Sequence, residues 1–467
     1  MTLRKVPSIP PEARQPLMDA PGDATRPIER FLRTEALSGI VLLVAAGLAL
    51  LWANSPWGQS YAQFWHAPIA VQVGRFSLER DLQGLVNEGL MVLFFFLVGL
   101  EIRRELHWGD LADARQAALP VAAALGGMLV PAFLYLVIAG APGLRSGWGV
   151  PMVTDLAFAL GLLTLLGRRV PASMRVLLLA LATLDALGGS IVIALFYPPS
   201  LGFGGLFLAG TGVASICLLQ RLGVRPRAAY VIPCFVTWAG ISLAGIHPTM
   251  AGVVLGLLTP VEATLGPRGF VWRMQREIKM LERSGPDQLS PHQLASSLRE
   301  VERTRREAIS PADGLIELLH PIVAFGILPI FALANAGVSW RGLTLDAPAL
   351  QLASAVGAAL VLGKPLGVLI ACALALRFRF AALPQDLRPR QLLLLGAVSG
   401  VGFSMALFIG QLAFTDDHWL AATKLGVLGG SAVAAVLTLS LGHWLCPAPG
   451  RLAEPTHAPP GQAAASH

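Results

Sequence analysis

Apolar runs of about 17 to 25 residues recur in this chain from residue 36 to residue 445, each long enough to cross roughly 30 Å of hydrocarbon as a helix. Only helices and closed β-barrels satisfy their backbone hydrogen bonds inside a bilayer. Barrel strands are short and alternate in polarity, whereas these runs are continuous and rich in Leu, Ala, Val and Gly. The pattern predicts an all-α polytopic membrane protein with about twelve transmembrane helices. The expected spans are 36–53, 85–101, 117–139, 151–166, 173–197, 204–220, 228–245, 247–260, 315–336, 350–376, 391–414 and 420–445. With 54% hydrophobic and only 13% charged residues, the composition excludes an ordinary soluble domain.

Lys and Arg set the orientation, because short loops rich in them stay in the cytoplasm. Arg26, Arg30 and Arg33, then Arg103 and Arg104, Arg168 and Arg169, Arg221, Arg225 and Arg227, the 261–314 loop, and Arg377, Arg379, Arg388 and Arg390 all fall on one side. The opposite loops carry chiefly Arg75, Arg80, Arg145 and Arg341. Both termini are thus expected in the cytoplasm. The same bias accounts for the net charge of +7, so no nucleic-acid partner is implied. Cys217, Cys234, Cys372 and Cys446 are scattered, with no CxxC spacing, and read as packing residues rather than a zinc site or disulfide framework.

Three segments lie outside the expected 36–445 transmembrane domain or loop out of it. Residues 1–35 and the Pro/Ala/Gly/His tail 446–467 are expected to be disordered in the cytoplasm, and no signal-peptide cleavage pattern closes the first apolar run. Within the 68–82 segment, alternating apolar and polar residues around Gly74-Arg75 suit either a short β-hairpin, whose open edge would serve a homodimer, or an extended surface loop. In the cytoplasmic 261–314 loop, WRMQREIKMLER mixes basic and apolar residues at helical spacing, as either a surface helix or a solvated connector would.

Three strongly ionisable side chains sit well inside the apolar stretches: Asp155, Asp185 and Lys364. Charge at that depth marks a functional site, and two acids with one base on separate spans suggest a cation or proton pathway. Two spans also look discontinuous, although close helix packing through small residues would equally explain the eleventh taken alone. Pro151, Thr154 and Asp155 interrupt the fourth, and Gly396, Ser399, Gly400, Gly402 and Ser404 interrupt the eleventh. Spans three to five and ten to twelve then form inverted repeats, each with its broken helix in the middle. Where the half-helices meet, Asp155 and Lys364 would neutralise the exposed helix ends.

The blocks TDLAFALGLLTLLG, LDALGGSIVIALFY, GIHPTMAGVVLG, LPIFALANAGVS, LGKPLG and GVGFSMALFIG resemble, in order, the motifs of the bacterial NhaA sodium/proton antiporters, and FFFLVGLEIRREL fits the same family. Inverted repeats and broken helices are known features of that family, so the resemblance and the repeat are not independent. The resemblance covers about residues 30 to 445. It implies exchange of cytoplasmic Na+ or Li+ for external protons across the bacterial inner membrane, in sodium and pH homeostasis, without a cofactor. The expected partners are those ions, the lipid bilayer and a second copy of the chain.

In the family, two adjacent aspartates on the fifth span receive the ion or the protons. Here the first is Asp185 and the second position is Ala186. A small hard cation takes several oxygen ligands, so losing one carboxylate removes a ligand and a proton site together. By resemblance, Asp185 and Thr154 remain as Na+ ligands, with Asp155 at the helix break as a further ion or proton group and Lys364 as the partner of Asp185. Ser190, one turn beyond Ala186, is a candidate substitute ligand or a hydroxyl bonded back to its own helix. Thr183 has the second expectation.

Two fates of the remnant are open: a permanent Asp185–Lys364 ion pair, or a releasable one exchanging a cation for about one proton. Weakened or altered transport is the reading adopted. The alternatives are a non-transporting paralogue or regulator, and a proton-coupled transporter of another solute. By the same resemblance, Glu101, Arg104, Glu105, His247, Glu317 and His320 are pH-response candidates, with Ile316 standing where the family has an acid. An ATP-driven pump is disfavoured, since no P-loop ending in GK[ST] occurs. No hydrolytic constellation can be assembled from the spans, so an enzyme is not expected.

Overall fold

Short polar side chains set several helix starts at the membrane edge. Asp113, Ser310, Asp346 and Asp416 each accept a hydrogen bond from the first turn of the helix that follows, at 2.8–3.0 Å. Each satisfies a donor that has no partner within its helix. The computed structural model describes residues 26–73, 76–109, 111–198, 201–224, 228–284, 290–339, 346–384 and 386–446.

Among the described residues, eight helices are long and apolar enough to span a bilayer. They are α1 (Arg26–Asn54), α3 (Leu82–Trp108), α4 (Ala114–Ala139), α6 (Ala172–Phe196), α7 (Phe203–Arg221), α12 (Pro311–Asn335), α13 (Ala347–Arg377) and α16 (Asp417–Leu445). Helix α2 (Gly58–Trp65) lies between α1 and the hairpin. The short helices α8 (Ala228–Leu243) and α9 (Thr249–Leu258) occupy the seventh and eighth expected spans.

The fourth and eleventh spans are broken. A 3-10 helix, Pro142–Met152, meets α5 (Leu156–Leu165) at 50°, and Pro389–Ser399, which contains α14 (Leu392–Ser399), meets α15 (Phe403–Ala413) at 47°. The first half of the fourth span starts at Pro142, not at the expected residue 151. The stretch PGLRSGWGV lacks a continuous apolar run, and the hydropathy pattern places it in a loop. The two broken elements cross, so that the 3-10 helix packs on α15 and α14 packs on α5. Each is flanked by its long partners, α4 and α6 around the first, α13 and α16 around the second, matching the two repeats expected from sequence.

The N-terminal boundary also moves. Helix α1 already runs from Arg26, so residues 26–35 are helical rather than disordered. Those residues are too polar to count as membrane span, yet RPIERFLRTE contains good helix formers behind a first-turn proline. Residues 1–25 and 447–467 lie outside the described residues.

The 68–82 segment forms a hairpin. Strand β1 (Pro68–Val73) pairs antiparallel with β2 (Phe76–Asp81), in the register Pro68↔Asp81 through Val73↔Phe76. Its Gly74-Arg75 turn lies outside the described residues. The 261–314 loop folds as helices α10 (Pro267–Ser284) and α11 (Pro291–Ala308), which pack on each other. Glu307 joins them by pairing with Arg273 at 2.5 Å and Arg303 at 3.1 Å. Hydrogen bonds from Arg305 and Arg306 hold the Glu302 carboxyl down to about 2.

Packing through small residues brings the repeats together. A Cβ on Gly126 of α4 would lie 2.2 Å from the Gly367 carbonyl of α13, and one on Gly367 would lie 2.1 Å from the Gly126 carbonyl. The two backbones therefore touch where neither position tolerates a side chain. This contact seats α13 against α4 and places Lys364, one turn before Gly367, at the centre of the molecule.

Candidate ion-binding site

The two helix breaks meet. Val153–Asp155 and Gly400–Gly402 are both non-helical, and the Asp155 N–H donates to the Val401 carbonyl at 2.8 Å. Four helix ends converge there, with unsatisfied N–H groups at the starts of α5 and α15 and carbonyls at the ends of their partners.

Asp155 serves both N-termini. Its Oδ1 accepts the Phe158 N–H of α5 at 3.1 Å, and its Oδ2 accepts the Ser404 N–H of α15 at 2.9 Å along with the Ser404 hydroxyl. One carboxylate thus caps two helices whose dipoles both present positive ends. Both oxygens are engaged in this, which distinguishes Asp155 from Asp185.

Lys364 serves the opposite polarity. Its Nζ donates to the Met152 carbonyl at the end of the 3-10 helix, at 2.5 Å, and pairs with Asp185 Oδ2 at 2.9 Å. Lys364 and Asp185 are both 0% exposed. A π turn, Ala359–Gly363, directly precedes Lys364 inside α13. Such turns inside helices concentrate at functional sites.

Asp185 projects from the middle of α6. Its Oδ2 is shared by Lys364 and by the Thr154 hydroxyl at 2.7 Å. The hydroxyl also lies 3.0 Å from the Ser399 carbonyl and has a single proton to serve the two acceptors. Among the described residues, none donates a hydrogen bond to Oδ1 of Asp185. Leaving a buried acceptor unsatisfied costs about 1–3 kcal/mol, more for a charged one. An oxygen in that condition has lone pairs that could accept a proton or ligate a cation.

A cavity ends at Thr154, whose hydroxyl donates to Asp185; Asp185 itself is not among the residues that line it. Phe94, Leu97, Val98 and Glu101 of α3 form one wall, Ala182, Thr183 and Ala186 of α6 a second, and His320, Ala324 and Leu328 of α12 a third. Its floor is Thr154, Asp155, Ser404 and Met405. It runs from the arginine-rich end of the bundle, where Glu101 and His320 stand, to the break. Ala186, the position without a carboxylate, lines it directly.

The remaining sequence-derived candidates separate into groups. Glu101 and His320 are brought together at the mouth. Arg104 lies 3.8 Å from Glu105 beside it, and Glu317 is exposed. His247 is elsewhere: its Nδ1 is 2.7 Å from Thr249 Oγ1 and its ring stacks edge-on against Phe408, 5.3 Å away. Ser190 donates to the Ala186 carbonyl at 2.7 Å and Thr183 to the Leu179 carbonyl at 2.8 Å, so both hydroxyls are bonded back to their own helix. For Ser190 this is the back-bonded alternative; its oxygen lone pairs remain available, and Ser190 is not among the residues lining the cavity.

Sequence reading missed three participants. Ser404 was noted only as a small residue in the break, and nothing local announced the Met152 and Ser399 carbonyls, which act through backbone atoms. It also passed over Lys424, a buried lysine of α16 two turns after Asp417, because it stands near the end of its span. No group of three or more His, Cys, Asp or Glu able to hold a metal ion occurs among the described residues.

The chain matches the family described as Na+/H+ antiporter 1 over residues 29–441. The Na+/H+ antiporter NhaA 2 of Myxococcus xanthus is 58% identical over 438 residues, covering 94% of this chain and 93% of the relative. NhaA 2 of Sorangium cellulosum is 48% identical, covering 90% of each. NhaA of a Janthinobacterium species is 45% identical, covering 89% of this chain and 92% of the relative.

Proposed function

The chain belongs to the Na+/H+ antiporter 1 family, and we propose that its exchange of Na+ or Li+ for protons runs through one carboxylate, Asp185. It is a multi-pass membrane transporter rather than an enzyme. By the distribution of Lys and Arg it sits in the bacterial inner membrane with both termini in the cytoplasm. The cavity then opens to the cytoplasm, and Glu101 and His320 form its inner mouth. The transport unit is 36–445, and the 68–82 hairpin edge is where a second protomer would pair.

The observation that carries this reading is Asp185 Oδ1, which has no hydrogen-bond partner among the described residues, on a carboxylate whose other oxygen accepts from Thr154 in the cavity floor. The pair seen with Lys364 is the deprotonated, waiting state. A cytoplasmic cation reaching Oδ1 shares the carboxylate, and Lys364 relaxes onto the Met152 carbonyl it already contacts. After the site turns outward the cation leaves and Asp185 takes one external proton. That proton is released to the cytoplasm on return, which regenerates the ion pair. Lys364 keeps its charge throughout, so one cation crosses for one proton and no net charge moves. Ala186 offers no second titrating group.

Stoichiometry tests this. A tenfold sodium gradient is worth about 1.4 kcal/mol, and about one pH unit is worth the same. In proteoliposomes held at zero potential, proton flux should vanish when a tenfold sodium gradient opposes about one pH unit, and imposing a potential should leave that null point in place. A null near half a pH unit, moving with voltage, would refute single-carboxylate exchange.

A further inference from the structure

Away from the cavity, four side-chain amides are gathered among three of the helices that line it. Asn87 lies in the π turn Leu85–Leu90 at the start of α3, Asn335 closes α12 and Gln411 lies in the last turn of α15. Asn87 Nδ2 donates to Gln411 Oε1 at 2.6 Å, Asn335 Nδ2 to Asn87 Oδ1 at 2.8 Å, and Gln83 Nε2 to Asn335 Oδ1 at 2.7 Å. Gln411 Nε2 also donates to Asn335 Oδ1. Asn335 is fully buried and anchored to its own helix through the Phe331 carbonyl at 2.9 Å.

A second layer lies beneath. Each of the three helices that contributes an Asn or Gln also contributes a phenyl ring one or two turns nearer the break: Phe95 on α3, Phe331 on α12 and Phe408 on α15. Phe408 is the hub, 5.2 Å from Phe95 and 6.2 Å from Phe331, with His247 against it at 5.3 Å. The cavity ends at Phe94, whose ring lies 5.2 Å from that of Phe95, and at Leu328 and Met405, three residues before Phe331 and Phe408 respectively. The stack of amides over phenyls is what separates the cavity floor from the far end of the bundle.

We propose that Asn87, Asn335 and Gln411, with Gln83, are the latch of the external gate, closing the path over the Phe95–Phe331–Phe408 plug. The proposal rests on the inward-facing reading above. The chemistry suits a reversible closure. An amide cluster is neutral, so it satisfies itself when shut without holding a charge away from water. When parted, each donor and acceptor is taken up by external water, so neither state leaves a group stranded. An ion-paired latch would hold one state much harder, and a purely aromatic plug would expose apolar surface on opening. The π turn carrying Asn87 adds a residue to its helix that can be redistributed as α3 moves. The simpler role for such amides, fixed interhelical glue, makes a different prediction: holding them together would not stop transport.

The test uses Asn87→Cys with Gln411→Cys in the full chain, with Cys217, Cys234, Cys372 and Cys446 replaced by Ala or Ser. Sodium-driven proton flux is compared before and after a short bifunctional thiosulfonate crosslinker in the same vesicles. Crosslinking should lower flux by about tenfold or more, with recovery on reduction. Unchanged flux after complete crosslinking overturns the proposal.

A second measurement does not need transport. Gln411→Cys is labelled from outside with a membrane-impermeant maleimide, with and without Asn87→Ala, which in this background removes the hydrogen bonds between Asn87 and Asn335. Labelling should be about tenfold faster without Asn87, since the gate then opens more often. Equal rates overturn the latch. Silence of the native chain in the flux assay would instead count against the exchange reading and leave the labelling result to stand alone.

Discussion

Asp185→Asn is expected to lower sodium- and lithium-driven proton release by about a hundredfold or more at every pH. The substitution preserves shape, and the new carbonyl oxygen can still face Lys364 and Thr154. It removes the carboxylate that the proposed exchange uses both to ligate a cation as an anion and to take up a proton. Asp155 cannot take over, because its oxygens are committed to Phe158 and Ser404. The change also leaves Lys364 buried without its counter-charge. Breaking a buried pair from one side costs about 3–5 kcal/mol unless the remaining group sheds its charge. Flux should therefore be read alongside a melting curve of the purified protein. Exchange surviving within a few-fold in a folded Asp185→Asn protein would place the proton-coupled group elsewhere.

Asp155→Ala is expected to act on the fold itself. It leaves the Phe158 and Ser404 N–H groups unsatisfied at two buried helix N-termini and frees the Ser404 hydroxyl. Losing a cap costs about 0.5–2 kcal/mol, and each stranded buried donor about 1–3 kcal/mol. A loss of about 3–5 kcal/mol is consistent with both and is large against ordinary substitutions. Less folded protein should accumulate and the melting midpoint should fall by several degrees. Asp155→Asn should fall between, since one oxygen still accepts but no charge faces the two helix dipoles. An unshifted midpoint for Asp155→Ala would show that the crossing is held by other contacts.

The two outcomes separate residues that look alike in the sequence. Asp155 and Asp185 are both acids in apolar spans, and intramembrane charge alone assigns both to the pathway. Only three dimensions distinguish them fully, because while Phe158 occupies one oxygen of Asp155 from the next turn, Ser404 occupies the other from a helix 249 positions away. The span pattern was readable wherever apolar residues ran on without interruption. It failed for Pro142–Met152, where Gly, Pro and Arg carry a buried 3-10 half-helix that hydropathy scores as a loop. It failed again at Arg26–Glu35, where a helix continues past the membrane and hydropathy has no power to follow it.

The site was legible in its charged residues and not in its backbone. Lys364 stands out in LVLGKPLG, but its contact with the Met152 carbonyl depends on the fourth span ending there. Ser190 illustrates the converse. Its spacing from Ala186 made it a candidate ligand, while local chemistry favours the bond to the preceding turn, and that bond is the one formed. The amide latch had no signature at all, since Asn87, Asn335 and Gln411 lie 76 to 324 positions apart in the chain.

The most direct test of the account is sodium-driven proton release in everted vesicles from cells making the native protein, with Ala186→Asp in parallel. The account predicts release by the native chain, carried by Asp185 without a neighbouring carboxylate. A silent native protein, with release gained only in Ala186→Asp, would contradict it: the scaffold would still alternate, but its natural sequence would have given up the ion site.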